Sequence, residues 1–90
     1  MKVFKFSPSV YKELQALKRK NPQILNKVYK QLQLFQQNPK HHSLRLHKIT
    51  GAVENTWSIS INGGYRLLYI EIADVFYFFK LGSHDEVYRK

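Results

Sequence analysis

Cysteine is absent from these 90 residues, so neither a disulfide framework nor a thiolate metal site can form. Acidic side chains are scarce. Six Asp and Glu stand against fifteen Lys and Arg, and the resulting +9 charge favours a polyanionic partner. Long apolar runs are missing too. No segment is long enough for a signal peptide or a membrane span, so a cytosolic protein with no membrane partner is expected. No repeat, linker or low-complexity stretch interrupts the chain, which reads as a single domain over 1–90 with a modest core.

Only three prolines occur, and each marks an element boundary. Ahead of the first, "KVFKF" from Lys2 to Phe6 alternates polar and apolar residues, the pattern of a half-buried strand. Ser7 and Pro8 then open a helix, Ser as N-cap and Pro at N1. Val10, Leu14 and Leu17 form its stripe, and "KRKN" closes it with cations suited to a helix C-terminus. Asn21-Pro22 repeats the start signal. Ile24, Leu25, Val28, Leu32 and Phe35 give a second stripe, and Asn38-Pro39 ends it. Two such helices joined by a few residues make an antiparallel hairpin.

Residues 40–56 read as irregular and rich in His, Lys and Arg. The period then becomes two: Trp57, Ile59 and Ile61 alternate with serines, so Trp57 and Ile59 are read as core. Asn62-Gly63-Gly64 turns, "YRLLYIEI" is a strand, Ala73-Asp74 turns, and "VFYFFKL" is a strand apolar on both faces and therefore central. The expected fold is α+β: an N-terminal strand, a helical hairpin and a three-stranded antiparallel meander, with the helices on one face.

The last hairpin locates the chain's end. A turn at Ala73-Asp74 sets Arg66 roughly opposite Leu81, so the segment from Gly82 to Tyr88 leaves the sheet beside Arg66. Arg66, His84 and Tyr88 can then share a patch. An arginine fork can clamp phosphate, an imidazole can exchange protons near neutrality, and a tyrosine can stack on a base. Each has a plainer alternative. His84 can be a solvated loop residue, Arg66 can pair with Glu71 or Asp85, and Tyr88 can cover the core's edge. The residues alone reach a basic α+β domain with nucleic-acid binding and acid-base chemistry as candidate functions.

Two segments carry a resemblance. "HKITGAVENTWSISINGGYRLLY", His47 to Tyr69, follows a pattern of a polar residue, then "xLxG", "WSxxI" and "RLxY". The ending "GSHDEVY" follows a glycine, a small residue, a histidine and a later aromatic. Together they resemble the RelE/ParE superfamily of bacterial type II toxins, nearest its YoeB and YafQ branches, over essentially the whole chain. The resemblance implies a RelE-like fold and an endoribonuclease, an mRNA interferase acting on ribosome-bound message. It implies His47 as general base, Arg66 as the phosphate-contacting arginine, His84 as general acid and Tyr88 as the terminal aromatic. Arg45, Lys48 and Arg89 are expected to bind RNA or phosphate. The chain departs from YoeB-like members in having Asp85 after the histidine, and from YafQ-like members in having Arg66 where they carry tryptophan.

The implied reaction uses the ribose 2′-OH as nucleophile and needs neither metal nor cofactor. The implied partners are mRNA, the ribosome with its 16S rRNA, and an acidic antitoxin held in a hetero-oligomer. Two other readings stand beside it: a ParE-like toxin that inhibits DNA gyrase without chemistry, and a non-toxic basic RNA-binding module. His84 and His47 argue against the first of these. His41, His42 and His47 lie close in sequence, but without acidic or cysteine ligands they make a poor metal site. His41 and His42 are expected on an exposed loop.

Overall fold

The computed structural model describes residues 3–49 and 55–83. The elements are β1 (Val3–Phe6), α1 (Pro8–Lys20), α2 (Pro22–Gln37), a 3-10 turn (His42–Leu44), β2 (His47–Lys48), β3 (Thr56–Ser60), β4 (Tyr65–Ile72) and β5 (Val75–Ser83). The architecture is α+β, with two helices and one five-stranded sheet in the order β1-β5-β4-β3-β2. Lys2, the first residue of the expected opening strand, lies outside the described residues.

Local chemistry explains the helix ends. Ser7 Oγ accepts a hydrogen bond from the Val10 amide at 3.1 Å, and Pro8 occupies the first helical position. Asn21 closes α1 and opens α2. Its amide donates to the Leu17 carbonyl at 2.8 Å and its Oδ1 accepts from the Ile24 amide at 3.3 Å. A single residue therefore joins the two helices.

Val10 and Leu17 of α1, and Leu25, Val28, Leu32 and Phe35 of α2, pack on Ile59, Leu67, Tyr69, Phe78 and Leu81 of the sheet. Much of the core is aromatic. Phe35 lies 5.1 Å from Phe76 and 5.3 Å from Tyr69, and Phe4 lies 5.2 Å from Phe78, centroid to centroid. Tilted and edge-on pairs of this kind each add about 0.5–1.5 kcal/mol beyond the area they bury.

The last strand is internal as expected: β5 lies between β4 and β1, which pairs parallel to it. Three expectations are corrected. The segment 40–56 is not wholly irregular. It contains the 3-10 turn and β2, whose His47 and Lys48 pair with Ser58 and Trp57. That gives the sheet a fifth strand too short to show a period of two. Arg66 opposes Gly82, not Leu81. The register changes because Tyr69 pairs with Phe78 while Leu68 pairs with Lys80, leaving Phe79 as the extra residue of a β-bulge. Finally, β5 runs to Ser83, so Gly82 and Ser83 stay in the sheet opposite Arg66 and Tyr65.

The bulge is tied to α1. The hydroxyls of Ser7 and Ser9 both donate to the Phe79 carbonyl at 3.3 Å. Ser7→Ala removes the helix cap and one of these donors, and is expected to lower unfolding free energy by about 1–2 kcal/mol in urea titration. Ser7→Asp restores the cap but sets a carboxylate against the Phe79 carbonyl, so it is expected to recover only part of that loss.

Burial, and then the carboxylate of Glu71, hold the Tyr69 phenol far above its ordinary value. In the unfolded chain the phenol ionises near pH 10, about its ordinary value. The native state keeps its proton longer, so this stabilisation is complete below that pH and lost as pH rises through the elevated native value. Tyr69→Phe is expected to reduce the alkaline fall in stability, read as melting temperature across about pH 9–11.

Candidate active site at the open edge of the third strand

The sheet's pairing sets the geometry. His47, Ser58 and Leu68 form one row across β2, β3 and β4, and Ser60, Arg66 and Gly82 form the row two residues along β4. Cross-strand partners share a face and alternate residues return to it. His47 and Arg66 therefore stand on one face, opposite to the one where Leu67 and Ile59 meet the helices. Their Cα atoms are separated by two strands and two residues, roughly 12 Å. Gly82 brings no side chain to the position beside Arg66.

Because β2 is two residues long, its pairing with β3 ends at Ser58, and beyond it the Ser60 carbonyl is taken by Gln31. A cavity of about 720 Å³ opens there, with Lys27 and Gln31 from α2, His42 and Arg45 around the 3-10 turn, and Ser60 and Arg66 from the sheet among its lining. Among the described residues that line it there is no acid. Arg66 is one of its lining residues, and its Nη1 is buried with no hydrogen-bond partner among the described residues. A buried guanidinium nitrogen without an acceptor is costly, and an anionic ligand relieves that cost.

Gln31 shapes the cavity. It is 2% exposed and its Nε2 donates to the Ser60 carbonyl at 2.9 Å and the Ser43 carbonyl at 3.3 Å. It ties α2 to both the sheet edge and the 3-10 turn. Beyond that turn, Arg45 adopts the left-handed backbone region, φ 45° and ψ 45°. Glycine would occupy it more cheaply by about 1–2 kcal/mol.

The Arg45 carbonyl fixes the state of His47. His47 Nδ1 lies 3.2 Å from this oxygen, which can only accept. Nδ1 therefore carries the proton in that contact, and the neutral ring has its lone pair on Nε2, the arrangement of a general base. His41 behaves in the opposite way. Its Nδ1 accepts from the Ser43 amide at 3.1 Å and caps the 3-10 turn. The loop expectation for His41 is thus corrected: the ring is half-buried and structural, stacked 4.5 Å from the ring of His42. His42 is exposed and lines the cavity.

The remaining expected site residues fall as follows. Arg45 and Arg66 meet at the cavity, and His47 follows Arg45 by two residues. Lys48 is paired with Trp57, so it takes the opposite face of the sheet from His47 and Arg66. Trp57 packs against the core. His84, Asp85, Tyr88 and Arg89 lie outside the described residues, as does the 50–54 part of the motif. Lys27 and Gln31 are absent from the expectations drawn from sequence. The signal for Gln31 was there: it lies three residues after Val28 and four before Phe35, a polar side chain within an apolar stripe.

No family model and no curated protein matches the chain. Solved structures do. YafQ from E. coli strain BL21(DE3) superposes with a TM-score of 0.80 over 98% of this chain and 99% of its own, at 14% identity. The chain has the RelE-like toxin fold. A YoeB–YefM complex from Staphylococcus aureus gives a TM-score of 0.76 over 93% and 98% at 18% identity. A YoeB/ParE toxin from Agrobacterium tumefaciens gives 0.77 over 93% and 99% at 15% identity. Within this RelE-like sheet, His47 and Arg66 lie on one face of β2 and β4, and the cavity, which Arg66 lines, takes its sheet residues from β3, β4 and the turn between them.

Removing the Gln31 amide withdraws a donor from two carbonyls. Gln31→Leu is expected to cost about 1–3 kcal/mol in chemical denaturation. Gln31→Glu, which offers acceptors to the same carbonyls, is expected to cost at least as much at neutral pH.

Proposed function

We propose that the protein is the toxin of a type II toxin-antitoxin pair and acts as an endoribonuclease on translated mRNA. The observation that carries this reading is Arg66, whose buried Nη1 has no partner among the described residues, lining a cavity with other cations on the sheet face where His47 presents Nδ1 to the Arg45 carbonyl. The fold shared with YafQ and YoeB supports the same reading.

In this scheme His47 Nε2 takes the proton of a ribose 2′-OH. The oxygen attacks the adjacent phosphorus, and the bond from phosphorus to the 5′ oxygen breaks. Arg66 and Arg45 stabilise the negative charge that grows on the phosphoryl oxygens. His84 returns a proton to the departing 5′ oxygen, and Tyr88 and Arg89 hold the RNA beside it. The products are a 2′,3′-cyclic phosphate and a 5′-hydroxyl, and every proton is accounted for without metal or cofactor. The ribosome presents the message, and the +9 charge suits both RNA and 16S rRNA. Solved relatives of the fold include YoeB–YefM and DinJ–YafQ complexes. An acidic antitoxin laid over the basic edge is the corresponding partner here.

Primer extension on a translated message tests the scheme. One 2′-deoxy or 2′-O-methyl substitution at the cut position is expected to abolish cleavage while binding persists, because phosphate contacts carry most of the affinity. His47→Ala and His84→Ala are each expected to slow cleavage about 10²- to 10⁴-fold. Arg66→Ala is expected to weaken catalysis more than binding. Normal cleavage of the 2′-deoxy message would mean that water attacks, and the roles of both histidines would fall.

A further inference from the structure

We propose that the cleft between α2 and the open edge of β3 is a second phosphate subsite, which holds the nucleotide neighbouring the one being cut, with Lys27 as its outer cation. The proposal rests on the ribonuclease reading and extends it. A guanidinium presents five N–H donors along different edges. Arg66 can therefore serve two phosphates, one on the His47 side and one inside the cleft.

Arg66 lines this cleft, and its Nη1 is buried without a hydrogen-bond partner among the described residues. Lys27, His42 and Arg45 surround the same space. Its volume of about 720 Å³ falls within the roughly 300–1,000 Å³ of ordinary ligand clefts, room enough for a nucleotide. Gln31 ties the walls together through a neutral amide, so the cleft keeps its positive potential.

The cations also continue in series. On the far side of His42 and Arg45 a smaller cleft of about 270 Å³ is lined by Lys40, His41 and Leu46 as well. A single strand following this edge would meet Lys40, Arg45, Arg66 and Lys27 in a basic groove, with the exposed imidazole of His42 available for stacking. This arrangement favours RNA over the carboxylates of an acidic protein. A tetrahedral phosphate offers oxygens to converging donors from several directions, whereas a carboxylate offers two in one plane.

The test uses the full chain and a short fluorescent single-stranded RNA, 2′-O-methylated at the cut position so that it binds uncleaved. Anisotropy titrations over a range of salt compare wild type with Lys27→Gln, an exchange that preserves helix propensity. The slope of log affinity against log salt is expected to flatten by about 0.7 for one lost phosphate contact. A neutral methylphosphonate at the phosphate beside the cut is expected to weaken wild-type binding but to add nothing to the loss in Lys27→Gln. An unchanged slope, or losses that simply add at every phosphate, overturns the subsite. So does a Lys27→Gln variant whose RNA binding is intact but whose grip on a Glu-rich peptide is weakened, since the cleft is then a protein-docking site. Cleavage of a translated message by wild type is scored separately. A protein that shows the Lys27-dependent slope yet cuts no message supports the subsite and overturns the nuclease reading instead.

Discussion

Lys80 sits in the middle of an apolar strand, and the sheet is arranged around keeping its ammonium out of the core. In an unbroken strand Phe76, Phe78 and Lys80 would share the inner face. Phe78 is fully buried there, and an ammonium beside it would cost several kcal/mol. The extra residue at Phe79 reverses the alternation. Lys80 turns to solvent, Leu81 turns into the core opposite Leu67, and Gly82 arrives beside Arg66. One bulge thus completes the hydrophobic interior and sets a residue without a side chain opposite Arg66. Because the Phe79 carbonyl takes its hydrogen bonds from Ser7 and Ser9, the start of α1 and the register of the site form one assembly.

This parity change shows what was legible in the chain and what was not. The helices could be read because Ser7-Pro8, Asn21-Pro22 and Asn38-Pro39 are strong local signals and the apolar stripes run for several turns. The meander could be read from alternation and turn residues. Hairpin counting put Arg66 one residue off because it assumes an unbroken ladder. The switch of inward residues from Phe76 and Phe78 to Leu81 was the available clue. The two-residue β2 defeated the reading because its pairing comes from β3 and from no pattern of its own. At the site, Arg45, His47 and Arg66 could be nominated as residues. Gln31 left a signal as a polar residue within an apolar stripe, but Lys27 left none, because its role depends on how α2 lies along the strand edge.

The site's electrostatics follow from an unfilled place in the sheet. Where a longer β2 would have covered β3, cations and an amide gather around an open backbone edge. Backbone atoms set the chemistry as much as side chains do. The Arg45 carbonyl chooses the His47 tautomer, and the Ser43 and Ser60 carbonyls anchor Gln31. Such contacts survive many side-chain exchanges, so a site of this construction can tolerate wide sequence divergence within one fold.

Asn21 has the opposite character. It ends one helix and begins the next with no residue to spare. Adding one residue to a helix turns everything beyond it by about 100° and moves it along the axis by about 1.5 Å. An insertion at this joint would swing Lys27 and Gln31 away from the strand edge before it disturbed any residue of the sheet. Length is therefore a hidden constraint here: the count of residues between the first strand and the cleft sets where Lys27 and Gln31 stand, whatever the composition of the hairpin.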